Sequence, residues 1–288
     1  MYSTTPQVRT GKLNLGTIQK LYRQGTPISV LTAHDYPSAQ AANAAGIDIV
    51  LVGDSLAMVA CGYQDTTQLS MDEMLYHCRA VKRGAPNSYL IGDLTFGSYE
   101  VSEKEAMRNA IRMVQEGGME AVKLEGGIEM VDTIKKITRN GISVMGHIGL
   151  TPQRQSSLGG FKVQGKTAER AEALLQDALA IEAAGCMGMV LEAMPPAVAR
   201  YITSQLSVPT IGIGAGVDCS GQVLVQLDML GVFDRFVPKF CKQYEQMGLR
   251  ATTAISEYNQ EVKSRTFPAA QHSYSMDPAE LAKWGKTD

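Results

Sequence analysis

Three observations predict an α/β chain folded as a single (β/α)8 TIM barrel. Short apolar segments alternate with longer segments of helical period, eight strand segments can be traced, and six of them end on ionisable side chains. A length of 288 residues suits one such barrel. An open doubly wound sheet is the rival for the same alternation.

The elements follow in order. Leu15, Ile18, Leu21 and Tyr22 share one face at helical spacing and open the chain with a helix. Strands are expected at Ile28–Ala33, Asp48–Gly53, Tyr89–Leu94, Ala121–Gly126, Ile142–Ile148, Met187–Ala193, Thr210–Gly214 and Arg235–Val237. Helices are expected between them, among others at Ser70–Arg83, Glu103–Glu116, Met130–Arg139 and Thr167–Ala184. Several helices run into glycine, at Ala45-Gly46, Gly117-Gly118 and Ala184-Gly185, where the left-handed backbone that closes a helix costs little. No Pro/Ser-rich linker divides the chain. The expected organisation is an N-terminal extension at 1–11, one catalytic barrel at 12–274, and a tail at 275–288 with a short helix at Pro278–Trp284.

Composition excludes several classes. Apolar residues make up 44%, enough for a large core, and a net charge of -2 gives no electrostatic reason to expect a nucleic-acid partner. No apolar run approaches the roughly 18–20 residues needed to span a bilayer, so no membrane association is expected. Cys61, Cys78, Cys186, Cys219 and Cys241 are odd in number and scattered, against both a zinc site and a disulfide framework. A cytoplasmic protein is the first expectation. The mitochondrial matrix is the alternative, because Arg9, Lys12, Lys20 and Arg23 precede the first acid, Asp35.

Barrel enzymes build their sites at the C-terminal ends of the strands. Those ends carry His34-Asp35, Asp54-Ser55, Asp93, Lys123 with Glu125, His147 and Glu192. Asp54-Ser55 read alone is also a helix cap, and the signal is the agreement of six ends. Lys123 and Glu125, two apart on one strand, share a face. With Asp54 and Asp93, Glu125 completes a set of hard oxygen donors suited to Mg2+, the alternative being buried ion pairs with lysine or arginine. Gly212–Gly216 is weak as a dinucleotide fingerprint and reads as close backbone packing. The long loop Gly149–Gly165 reads as a lid or a subunit contact. His77 and Cys78, on a helix, read as structural.

The segments LVGDSLAMV (51–59), IGDLTFGSY (91–99), VKLEGG (122–127), GHIGLTPQ (146–153), GGFKVQG (159–165), LEAMPP (191–196) and IGIGAG (211–216) resemble the ketopantoate hydroxymethyltransferase family. The match runs from about Lys12 to Tyr274. His34 and Gly92 stand where tyrosine and alanine are common in bacterial members.

The resemblance implies a barrel of the phosphoenolpyruvate/pyruvate-binding type. It also implies transfer of a hydroxymethyl group from 5,10-methylenetetrahydrofolate to 3-methyl-2-oxobutanoate through a Mg-stabilised enolate. Asp54, Asp93 and Glu125 would then be metal-associated. Asp54, Ser55, Asp93, Lys123 and His147 would contact substrate, and Glu192 would accept the proton. A homo-oligomer, a decamer in bacterial members, is implied as well. The alternatives are a carbon–carbon lyase of the same barrel group, whose KKCGH-type loop is absent here, and a non-catalytic barrel.

Overall fold

The computed structural model describes residues 11–160 and 162–284. The expected extension at 1–11, Gly11 apart, and the last four residues of the tail lie outside the described residues. Eight parallel strands close in chain order into one barrel. They are β1 (Ile28–Thr32), β2 (Ile49–Val52), β3 (Tyr89–Asp93), β4 (Ala121–Lys123), β5 (Ser143–Gly149), β6 (Gly188–Glu192), β7 (Thr210–Ile213) and β8 (Gly221–Leu224). The ring closes where β1 meets β8, with Ile28 opposite Gly221 and Val30 opposite Val223. The doubly wound rival is thereby excluded.

One strand expectation is corrected. Arg235–Val237 forms no ladder, and the eighth strand is Gly221–Leu224. Closure explains why glycine begins it: a Cβ at Gly221 would lie 2.2 Å from the Ile28 carbonyl oxygen. With Gln222 exposed, the strand presents little apolar pattern. Arg235 instead donates to the carbonyls of Tyr63 and Gly62, both at 2.7 Å, tying its segment to another loop.

The core has two parts. Ile49, Leu51, Tyr89, Ile91, Ala121, Met145, Val190, Ile211 and Val223 fill the barrel interior, with Leu13 and Ile18 at its N-terminal end. Val50, Val52, Leu90, Val122, Val144, Met189 and Leu191, at the alternate positions, pack outward against the helices.

The expected helices appear at Leu15–Arg23, Met71–Gly84, Glu103–Gln115, Val131–Thr138, Ala168–Ala183 and Pro278–Trp284. Ser70 and Glu73 form a reciprocal capping box, and Ser102 and Thr167 cap two others. A further helix, Met247–Ser264, has no buried residue. Among the described residues, all five cysteines are free, and no helix is long and apolar enough to cross a membrane.

Candidate active site

The two-residue period of the strands builds the site. Tyr89 and Ile91 point into the barrel, so Asp93 does too, one step nearer the C-terminal end. Continued from Ala121, Met145 and Val190, the same parity brings Lys123 and Glu125, His147, and Glu192 to the barrel mouth. Asp54 joins them just beyond β2, where its backbone N–H donates to Asp93 Oδ2 at 3.0 Å. All six side chains border one buried network, and all except Glu125 line a cavity of about 370 Å³. Ser55, at the start of helix Leu56–Val59, lines it as well.

Lys123 Nζ lies 3.0 Å from Asp93 Oδ2 and 3.3 Å from His147 Nδ1. His147 in turn spans two carboxylates, with Nδ1 3.4 Å from Glu125 Oε1 and Nε2 3.0 Å from Glu192 Oε2. Gln153 holds the other side. Its side-chain amide donates to Asp54 Oδ2 at 2.8 Å and to the Leu94 carbonyl at 2.9 Å. Its backbone N–H donates to Glu125 Oε2 at 3.1 Å, and its side-chain oxygen accepts from the Tyr99 hydroxyl at 2.7 Å.

Burial dominates the electrostatics. It pushes the Asp93 carboxyl up to about 6, although Lys123 works to lower it. Burial, then repulsion from Glu125, raises Asp54. Burial opposes the charge on Lys123, but Asp93, Asp54 and Glu125 outweigh it and hold the ammonium above its ordinary range. Burial and Lys123 both work against a charged His147, yet hydrogen bonds to Glu125 and Glu192 raise it to about 9. The mouth is therefore a compact array of alternating charges.

Among the described residues, no three His, Cys, Asp or Glu side chains converge on a point that would hold a metal ion. In kind, however, the carboxylates fit a hard cation. Asp93 Oδ1 and Glu125 Oε1 are fully buried; among the described residues Asp93 Oδ1 has no hydrogen-bond partner, and Glu125 Oε1 meets His147 Nδ1 at a long 3.4 Å. Such oxygens are costly to leave unsatisfied, and a divalent ion would satisfy them.

The expected loop Gly149–Gly165 folds partly into short helical turns at Pro152–Arg154 and Gln155–Leu158. Pro152, Lys162 and Val163 line the cavity, so this segment is a wall of the site. Gly214 (φ +63°) and Gly216 pack tightly: a Cβ would lie 2.7 Å from the Phe240 ring and 2.6 Å from Pro196. His77 binds the His34 carbonyl and Cys78 is buried, both structural roles. Ala193, directly after Glu192, has φ 47°, a left-handed backbone that a non-glycine residue rarely adopts.

Comparison with known proteins places this geometry. Residues 12–270 match the ketopantoate hydroxymethyltransferase family. The 3-methyl-2-oxobutanoate hydroxymethyltransferase of Emericella nidulans is 56% identical over 277 residues, covering 96% of this chain and 79% of that protein. Its namesake from Heliobacterium modesticaldum is 52% identical, covering 92% and 96%. A rice relative, named as mitochondrial, is 50% identical, covering 94% and 77%. Among solved structures, 2,3-dimethylmalate lyase, of the PEP mutase/isocitrate lyase superfamily, aligns with a TM-score of 0.57 at 16% identity, covering 94% of each chain. A phosphonopyruvate hydrolase complexed with oxalate and Mg2+ gives 0.57 at 14% identity, covering 90% and 92%. At such identities these two share the fold alone.

Proposed function

The chain belongs to the ketopantoate hydroxymethyltransferase family, and on that premise we propose which reaction it runs and with which residues. It transfers the one-carbon unit of 5,10-methylenetetrahydrofolate to C3 of 3-methyl-2-oxobutanoate, giving 2-dehydropantoate (ketopantoate) for pantothenate biosynthesis. One observation carries the reading: a buried cation, Lys123, and a carboxylate, Glu192, flank His147 in one cavity.

Lys123 and Ser55 take the carboxylate and keto end of the substrate, with Asp54, Asp93 and His147 around it. Glu192 accepts the C3 proton, and its contact with His147 fixes where the carboxylate sits. The electron pair of the C3–H bond becomes the C2–C3 double bond and the carbonyl π pair moves to the keto oxygen, where the Lys123 charge is already in place. Mg2+ held by Asp54, Asp93 and Glu125 would add positive charge at that same end of the substrate. C3 bonds to the one-carbon unit as its bonds to N5 and N10 of the folate break; one water supplies the hydroxyl group, and its remaining proton and the one taken by Glu192 return to the two nitrogens as tetrahydrofolate leaves. The Gly149–Gly165 wall limits loss of the reactive one-carbon unit.

The working form is a homo-oligomer, with a decamer suggested by the family, and sedimentation velocity tests it. The compartment is the cytoplasm, with the mitochondrial matrix as the alternative, and cell fractionation separates them.

The decisive assay is formation of 2-dehydropantoate with and without Mg2+, paired with C3 proton exchange in deuterated water. Glu192→Gln is expected to bind oxo acid and lose exchange by at least about 100-fold, the scale of a general base. Exchange at the wild-type rate would remove Glu192 from that role.

A further inference from the structure

The oxo-acid end accounts for only part of the cavity. Its other wall is aromatic, made by Phe233, Phe236 and Phe240, with the first two rings edge to face at 5.5 Å. Asp228 stands in this wall, on helix Gln226–Met229 just beyond the end of β8. It is only 8% exposed. Its Oδ1 is fully buried and has no hydrogen-bond partner among the described residues. The turn that carries it is fixed. The Gln226 backbone N–H donates to Thr32 Oγ1 at 3.0 Å, and its side-chain amide donates to the Ser38 carbonyl at 3.1 Å. Burial pushes the Asp228 carboxyl up to about 6, and no cation among the described residues brings it down.

A fixed, buried, unpartnered acceptor costs stability, so its place in the cavity wall points to a ligand that supplies the missing donors. The oxo acid cannot be that ligand, because it is an anion with no N–H group. A flat ring bearing two parallel N–H donors fits both the carboxylate and the phenylalanines. We propose that Asp228 reads the 2-amino-4-oxo edge of the pterin ring of the one-carbon donor. The ring N3–H and the exocyclic amino group donate to its two oxygens, and the ring lies among Phe233, Phe236 and Phe240. Lys162 and Lys239, both exposed, border the same cavity and suit the carboxylates of the donor's glutamate tail. This assignment rests on the folate-donor reading above.

The test is steady-state kinetics of the Mg2+-loaded enzyme with Asp228→Asn and Asp228→Ala. Each is expected to raise KM for 5,10-methylenetetrahydrofolate at least about tenfold, the scale of one lost hydrogen bond to a charged group. KM for the oxo acid should stay within about twofold. Exchange of the C3 proton in deuterated water, which needs no folate, controls for folding and should persist. 6-Methyltetrahydropterin, which lacks the tail, should compete with the donor in wild type and not in Asp228→Asn. An unchanged donor KM in both variants, or loss of exchange in parallel with turnover, overturns the assignment and leaves the folate reading standing. Absence of folate-dependent turnover in wild type, with exchange intact, removes both.

Discussion

Gln153 carries no charge, yet it joins Asp54, Leu94, Tyr99 and Glu125 into one buried network. Truncating its side chain takes a donor from the Asp54 carboxylate and the Leu94 carbonyl and the acceptor from the Tyr99 hydroxyl, while the backbone bond to Glu125 survives. Gln153→Ala is expected to lower stability by about 1–3 kcal/mol in urea denaturation, far more than an exposed glutamine would. Asp228 makes the opposite prediction. Its folded pKa, about 6, lies above that of an unfolded aspartate, so its protonated form favours folding. That contribution is complete below the unfolded pKa and is lost as pH rises through about 6. Asp228→Asn should therefore raise the Tm of the ligand-free protein at pH 8, by an effect on the order of 2 kcal/mol, and give little or no gain at pH 4. At this scale, legibility followed charge. Asp93, Lys123, Glu125, His147 and Glu192 stand out as ionisable groups at strand ends, whereas Gln153 and Tyr99 are neutral and reach the site from loops. Asp228 lies beyond β8, the one strand placed wrongly from the sequence, so its position at the mouth was hidden.

Elements differ in how much backbone strain and exposure they carry. Ala193 ends β6 in a left-handed conformation, with its N–H bonded to the Ile213 carbonyl and its carbonyl accepting from Gln164. This pins the chain immediately after Glu192. Ala193→Gly should be neutral or stabilising by up to about 1 kcal/mol, and Ala193→Val should destabilise by more, as read by thermal melts. Strands were legible where inward and outward apolar positions alternate, as in Ile49–Val52. Gly221–Leu224 was not, because its glycine is demanded by a neighbour distant in sequence and Gln222 faces solvent. Helix Met247–Ser264 presents Leu249, Ile255, Tyr258 and Val262 to solvent, whereas helices in proteins draw most of their stability from packing an apolar face. If subunit packing supports it, Leu249→Glu with Ile255→Glu should shift sedimentation to smaller species. An unchanged sedimentation profile would show that the helix lies outside the oligomer contact.

At the scale of the molecule, one ring of strands both builds the core and presents the site. The alternation that fills the interior with Ile49, Leu51 and Ile91 also delivers Asp93 and Lys123 to its upper end. Loss of the ring therefore takes the site with it.

The closing pair, Ile28 opposite Gly221, has a consequence in time. Its two strands come from opposite ends of the barrel sequence, so β1 waits with an open edge while almost every other strand is synthesised. Contacts this remote in sequence slow folding, and an unpaired edge invites pairing with other chains. Chains stopped before Gly221 should emerge as aggregates held by chaperones, and release of a folded product should begin only once Leu224 has cleared the ribosome. Pulse proteolysis of stalled chains of increasing length would register that step.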